Sequence, residues 1–191
     1  MRRLAFLLLL LPLPSCASIP EPIAQERART PHGQATVVEF VDFECPFCRE
    51  AHENLAPFLA KHRGEVRIAR KHVPLTDMHP HAMRAALAAV CGEMQGKGDE
   101  IADLLFRAPL HELTEQGASA MAEKLGIDPE GLRVCMKEPA AKERIAADTA
   151  TYRALGGGGV PAFWVEGQRF VGLQRPGVLE GAIEEAIARA R

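Results

Sequence analysis

Two cysteines three residues apart, Cys45-Pro46-Phe47-Cys48, follow an apolar run, Val37-Val38-Glu39-Phe40-Val41-Asp42-Phe43, and open a segment with helical spacing. Residues three apart on a helix lie about one turn from each other, at a separation a disulfide can bridge. Such a pair can cycle between dithiol and disulfide with little backbone movement. At the helix start, Cys45 would meet orphan backbone N–H groups and the positive end of the macrodipole, and both stabilise a thiolate. The thiolate is the attacking species in disulfide exchange. Pro46 suits the first helical turn, where its missing N–H would be unpaired anyway. Two other readings stand beside this one, a structural disulfide and half of a zinc site. Zinc needs four ligands at defined spacing, and the chain has no second CxxC and no HxxxH pair, with His52 as an extra candidate. No metal is expected.

The elements around the motif follow from periodicity. Val37 to Phe43 is apolar on both alternating faces except at Glu39 and Asp42, which predicts a strand inside a sheet covered on both sides. Phe47, Ala51, Leu55, Phe58 and Leu59 recur at helical spacing until Gly64. Val66 to Val73 alternates as a second strand and stops at Pro74, completing a β-α-β unit with a parallel pair. From about 78 to 155 no strand signal appears. Apolar stripes there include Met83, Leu87, Val90, Cys91 and Met94, then Leu132, Cys135 and Met136, while Thr114, Asp128-Pro129 and Pro139 supply helix starts. Phe163-Trp164-Val165 and Arg169-Phe170-Val171, separated by Glu166-Gly167-Gln168, predict a β-hairpin, and Pro176 to Arg191 a closing amphipathic helix. The fold class is α/β, ordered β-α-β, helices, β-β-α.

A chain of 191 residues with 47% hydrophobic content supports one well-cored domain, taken as residues 35–191 with a helical insertion at about 78–155. Met1-Arg2-Arg3 followed by a leucine-rich run to Leu11 reads as an export signal over residues 1–15, too short to remain as a membrane span. Leu13-Pro14-Ser15-Cys16 resembles the bacterial lipobox, which would make Cys16 a lipidated first residue; ordinary cleavage near Ala17 is the other possibility. The expected location is the bacterial periplasm or cell envelope, with the membrane reached only through such a lipid anchor. Ala17 to Gly33, with three prolines and mixed charge, reads as a linker, so residues 16–34 are expected to be a tether. Without Cys16 the remaining four cysteines form two pairs, Cys45 with Cys48 and Cys91 with Cys135, the even number an oxidising compartment favours. Cys91 and Cys135 each lie on an apolar stripe, so a structural disulfide is expected and two buried free thiols are the alternative. The net charge of −2, or −4 once Arg2 and Arg3 are removed with the leader, gives no sign of nucleic-acid binding.

The pattern resembles the DsbA-like branch of the thioredoxin superfamily over roughly residues 35 to 190. The resemblance is carried by Glu39 six residues before the first thiol, Asp42-Phe43-Glu44-Cys45-Pro46-Phe47-Cys48, Lys71-His72-Val73-Pro74-Leu75, and Gly159-Val160-Pro161 ahead of the hairpin. It implies a thioredoxin fold with an inserted all-helical subdomain and thiol-disulfide exchange that needs no cofactor beyond the Cys45–Cys48 disulfide. Cys45 is then the exposed nucleophile, Cys48 the resolving thiol and Glu39 the acid that relays its proton, unless Glu39 reaches solvent or pairs with Lys71. Val160-Pro161 is the loop facing the disulfide, joined by a cis peptide bond, and with Pro46 and Phe47 it contacts the substrate chain; an ordinary turn proline is the other reading. Oxidising family members commonly carry His where Phe47 stands, and Glu44 adds a negative neighbour. The Cys45 pKa is therefore expected below the ~8.5 of a free thiol but less depressed than in those members. Gly156 to Gly159 reads as a flexible approach to the loop or a plain linker. Met78-His79-Pro80-His81 could bind copper, but fits a helix start better.

Expected partners are cysteine-containing exported proteins and an unidentified redox partner that recharges the site. The lack of a dimerisation domain points to a monomer. A non-catalytic, membrane-tethered binding module with a structural disulfide or metal site is the alternative from another class.

Overall fold

A computed structural model describes residues 19–191. The expected leader at 1–15 and the expected lipidation at Cys16 lie outside the described residues. A short helix α1 (Glu21–Ala28) leads into strand β1 (Ala35–Val41), helix α2 (Pro46–Lys61) and strand β2 (Val66–His72). Five helices follow: α3 (Ala82–Met94), α4 (Gly98–Arg107), α5 (Glu115–Leu125), α6 (Pro129–Cys135) and α7 (Pro139–Ala154). Strands β3 (Ala162–Val165) and β4 (Gln168–Val171) and helix α8 (Val178–Ala190) close the fold.

The sheet order is β2-β1-β3-β4, with β1 and β2 parallel and the other neighbours antiparallel. All seven residues of β1 are buried, as a strand covered on both faces requires. Val37 shares one face with Phe163, Val165, Leu55 of α2 and Ile183 of α8. Val38, Phe40 and Trp164 face the helical insertion, where Phe40 meets Trp164 at 5.3 Å between ring centroids and Tyr152 at 5.6 Å. The period of two puts Glu39 on the Val37 face, beneath α2.

The insertion is built by the start signals its sequence carries. The Thr114 hydroxyl accepts from the Gly117 N–H at 3.1 Å, and the Asp128 carboxylate accepts from the Glu130 N–H at 3.1 Å, while Pro129 and Pro139 occupy first turns. A disulfide between Cys91 of α3 and Cys135 of α6 closes a span of 44 residues within this subdomain. The hairpin turn is Glu166-Gly167 alone, since Gln168 already pairs with Val165. Both turn residues have positive φ, +50° and +102°, the geometry of the two-residue turn whose twist matches the strands.

One expectation fails here. The segment read as a tether contains α1, and α1 is packed. Ile23 is 1% exposed in the core, and the buried Glu26 carboxylate takes Lys71 at 2.7 Å, Arg67 at 3.0 Å and Arg29 at 3.2 Å. Arg27 pairs with Glu166 across the hairpin turn. Mixed charges that look solvated along the chain are tertiary partners of β2, and a single buried isoleucine leaves no periodic signal.

Ile23→Ala should therefore lower the unfolding free energy by about 2–5 kcal/mol, as for a core aliphatic, read as a drop in the urea midpoint. A true tether residue would shift nothing.

Candidate active site

The site forms where β1 ends. Cys45 is the N-cap of α2 in an extended conformation, with Pro46 behind it in the first turn. The Cys45 carbonyl accepts from the N–H groups of Cys48 and Arg49, both at 3.1 Å, so the helix begins at this residue. Both thiols are unbonded and buried, Cys45 at 5% exposure and Cys48 at 0%. Pro46 and Phe47 stand outside them, Phe47 at 57% exposure.

The two sulfurs titrate in opposite directions. Cys45 is pulled down to about 6, chiefly by the hydrogen bond that the Cys48 thiol donates to its thiolate, against desolvation; the N–H groups of Cys48 and Phe47 assist, and Asp42 opposes. Cys48 is pushed up, first by burial and then by its role as donor to Cys45, with the Glu39 charge adding to the effect. The Asp42 N–H donates to the Cys48 sulfur at 3.5 Å. One thiol is thus prepared to attack at neutral pH while the other keeps its proton.

Facing the pair is the loop before β3. The Val160–Pro161 peptide bond is cis, and the Cys45 thiol, when protonated, donates to the Val160 carbonyl at 3.9 Å. Gly156 to Gly159 all have positive φ, and they are tied down: the Gly159 N–H donates to the Tyr152 hydroxyl at 2.6 Å, and Arg169, stacked over Trp164, donates to the Gly157 carbonyl. Val160 and Pro161 are buried while Gly158 and Gly159 remain open. The expectation of an exposed Cys45 is corrected by this loop, because a segment 115 residues away lies over the sulfur. Any group that reacts with the Cys45 sulfur must first displace the Val160 contact.

Glu39 is 4% exposed and near Cys48, and its partner is Arg70, Nε to Oε2 at 3.0 Å, in place of Lys71. Strand register decides this. Glu39 is paired with Arg70 across β1 and β2, so their side chains leave the same face, whereas Lys71 leaves the other and meets Glu26 and Asp148. Arg70 also reaches Asp99 of α4 at 3.2 Å. A small cavity bounded by Glu39, His52, Arg70, Leu55 and Phe163 separates the acid from the surface pair of His52 with Asp103.

Sequence reasoning passed over the role of Asp42. Its side chain is fully buried; Oδ1 accepts from the Glu44 N–H at 2.8 Å, and Oδ2 accepts from the Leu75 N–H and pairs with His79 Nδ1, both at 2.8 Å. Glu44 takes the His81 N–H at 2.6 Å. Two carboxylates thereby tie the motif to the turn before α3. The expectation that Glu44 is the acid opposing the Cys45 thiolate is revised, since the charge that bears on it is that of Asp42. Nearby, His72 is buried beside Phe43 and driven down to about 3 by desolvation and by the charges of Arg70, Arg144 and Lys71, so it stays neutral. Among the described residues no group of three or more His, Cys, Asp or Glu is arranged to hold a metal ion. A groove of about 640 Å³ along β2 is walled by paired charges such as Glu26, Arg67, Arg144 and Asp148, and neither free thiol borders it.

A family model described as thioredoxin matches residues 30–185. The chain belongs to the thioredoxin family. A thioredoxin-like oxidoreductase from Silicibacter pomeroyi is 30% identical, with a TM-score of 0.70 over 84% of this chain and 90% of that one. The thiol-disulfide exchange protein alpha-DsbA2 of Wolbachia pipientis is 18% identical, with a TM-score of 0.69 over 85% and 92%, and shares the fold. This thioredoxin-family chain thus carries a helical insertion in its thioredoxin fold, a fold it shares with that alpha-DsbA2 protein. The Na(+)/H(+) antiporter NhaA 3 of Salinispora tropica is 36% identical over 82% of this chain and 24% of its own length. The chain spans about a quarter of the length of that curated relative.

Because the folded Cys45 thiol ionises at about 6 and an unfolded one at about 8.5, the dithiol form should gain stability relative to the disulfide form as pH rises from about 6 to about 8.5, and lose that gain as pH falls back through 6. Iodoacetamide labelling should follow the same thiolate, with a midpoint near 6 and the label on Cys45 alone.

Proposed function

We propose that the chain is an exported thiol-disulfide oxidoreductase that exchanges disulfides with cysteines of other envelope proteins through the Cys45-Pro46-Phe47-Cys48 motif. The observation that supports it most is the opposed titration of two adjacent thiols at a helix start, one lowered and one raised. In the reducing direction the Cys45 thiolate attacks a client disulfide; the mixed disulfide forms as a client thiolate leaves. Cys48 then gives up its proton and attacks the Cys45 sulfur. The intramolecular disulfide forms, the second client thiolate departs, and two electrons have passed to the client. In the oxidising direction the same steps run backward. A redox partner returns the site to its starting state.

Glu39, buried beside Cys48 and balanced by Arg70, is the residue that accepts the Cys48 proton and passes it outward. Val160 and Pro161 receive the extended client strand beside the sulfur, and Pro46 and the exposed Phe47 form the apolar rim it crosses. The basic, leucine-rich leader supports export to the periplasm or cell envelope, with Cys16 as the lipid attachment point and the folded part, which includes α1, acting as a monomer. No helix among the described residues is long and apolar enough to cross a membrane.

The insulin turbidity assay with dithiothreitol tests the reading. Wild type should accelerate precipitation, Cys45→Ser should abolish it, and Cys48→Ser should trap a mixed disulfide with client. A protein that leaves insulin untouched and traps nothing would instead be the non-catalytic binding module. Glu39→Gln should slow resolution by about a hundredfold while leaving the melting temperature near that of wild type; unchanged kinetics would remove the proton-relay role.

A further inference from the structure

The thiolate site is crowded with acids and its motif carries no cation. Glu44 and Asp42 precede Cys45, Pro46 and Phe47 are uncharged, and Glu39 lies behind Cys48. Asp42 is the unfavourable neighbour, a fully buried carboxylate whose charge opposes ionisation of Cys45. Its place in the fold gives it a second task. The carboxylate holds the N–H groups of Glu44 and Leu75, which fix the motif against the segment after β2, and that segment delivers His79 to its remaining lone pairs at 2.8 Å. The His79 backbone is itself held, its N–H donating to the Leu75 carbonyl at 2.9 Å, and its side chain is 18% exposed, open to protons yet partly shielded from solvent.

We propose that His79 is a positioning residue for thiol-disulfide exchange: its imidazolium, seated on the buried Asp42 carboxylate, supplies the positive charge that the Cys45-Pro46-Phe47-Cys48 motif lacks. When protonated it cancels Asp42 and leaves the Cys45 thiolate without an opposing charge. The groups in electrostatic reach of the ring are Asp42 and Glu44 from the loop before α2 and Cys45 at its N-cap, and each holds the His79 proton more tightly, against the effect of burial. Asp77 and His81 are its neighbours along the chain. Such coupling is reciprocal, so a charged His79 favours a charged Cys45. The sign follows: with Cys45 ionising at about 6 and His79 held above its ordinary 6.5, both are charged in a window around neutrality, and the support fades as pH rises through the His79 titration.

The inference rests on the exchange activity for its purpose, but its test does not, because Cys45 can be titrated without any client. The reduced protein is followed by thiolate absorbance against pH in wild type, His79→Asn and His79→Lys. Asparagine keeps an N–H donor for Asp42 and can never be charged, whereas lysine keeps the charge. The Cys45 midpoint should rise by about one pH unit in His79→Asn and stay near the wild-type value in His79→Lys. In glutathione buffers at pH 7, His79→Asn should move the pair toward its disulfide by about fivefold, because the dithiol form loses thiolate stabilisation. Should His79→Asn fail to fold, His79→Gln serves the same comparison. An unchanged midpoint in the neutral variants, or equal shifts in the neutral and lysine variants, would reduce His79 to a structural prop and overturn the proposal. A shifted midpoint in a protein inert toward insulin would keep it and sink the exchange reading instead.

Discussion

The hydrogen bond from the Cys48 thiol to the Cys45 thiolate is the interaction on which the site depends, and it exists only because α2 begins where β1 has just ended. An N-cap residue has extended backbone and a side chain free of the helix, while the residue three positions on already lies in the first turn. The two sulfurs are therefore inequivalent by construction. Cys45 sits at the mouth of the helix among N–H donors, and Cys48 is one turn deeper, 0% exposed, beside an acid. Burial acts against ionisation of both. For Cys45 the donors outweigh it, and for Cys48 nothing does.

The rest of the fold keeps that junction in place. Helices on both faces bury β1, so its end is a fixed point; Asp42 and Glu44 bind the outgoing loop to the segment between β2 and α3. The helical insertion supplies that segment and also α7, whose Tyr152 holds the glycine run on the far side of the thiols. A region remote in sequence from the motif thus sets both walls of the cleft. The Cys91–Cys135 disulfide constrains this subdomain from within and touches neither wall.

Much of this was legible from residue patterns, for identifiable reasons. The motif, the helix caps at Thr114 and Asp128, and the hairpin with its Gly-containing turn, expected one residue longer than the observed Glu166-Gly167, are local rules, decided by neighbours within a few positions. What escaped was decided by pairing across the chain. The partner of Glu39 required the β1–β2 register, which chooses between the adjacent cations Arg70 and Lys71. Helix α1 escaped because its charges find Arg67 and Lys71 some forty residues later. The Val160–Pro161 loop was expected to face the disulfide, but that it covers Cys45 depends on a contact between segments 115 residues apart. His79 stood in Met78-His79-Pro80-His81, read as a helix start, and its pairing with Asp42 joins residues 37 positions apart.

The balance of forces at Cys45 also decides how the site responds to its surroundings. Most of what favours the thiolate is dipolar, from the Cys48 S–H and the backbone N–H groups of Cys48 and Phe47, while the main opposing charge, Asp42, is fully buried. Contacts of this kind act over one hydrogen-bond length inside the protein, far below the ~8 Å screening distance of physiological salt, and ions cannot reach between the partners. A site that relied on exposed cations would lose its low thiol pKa as salt rose. Here only the partly exposed His79 is open to screening, and its own partner Asp42 is out of solvent. The reactivity of Cys45 is therefore set mainly by covalent spacing and backbone geometry, which vary little with ionic strength, and only secondarily by charge.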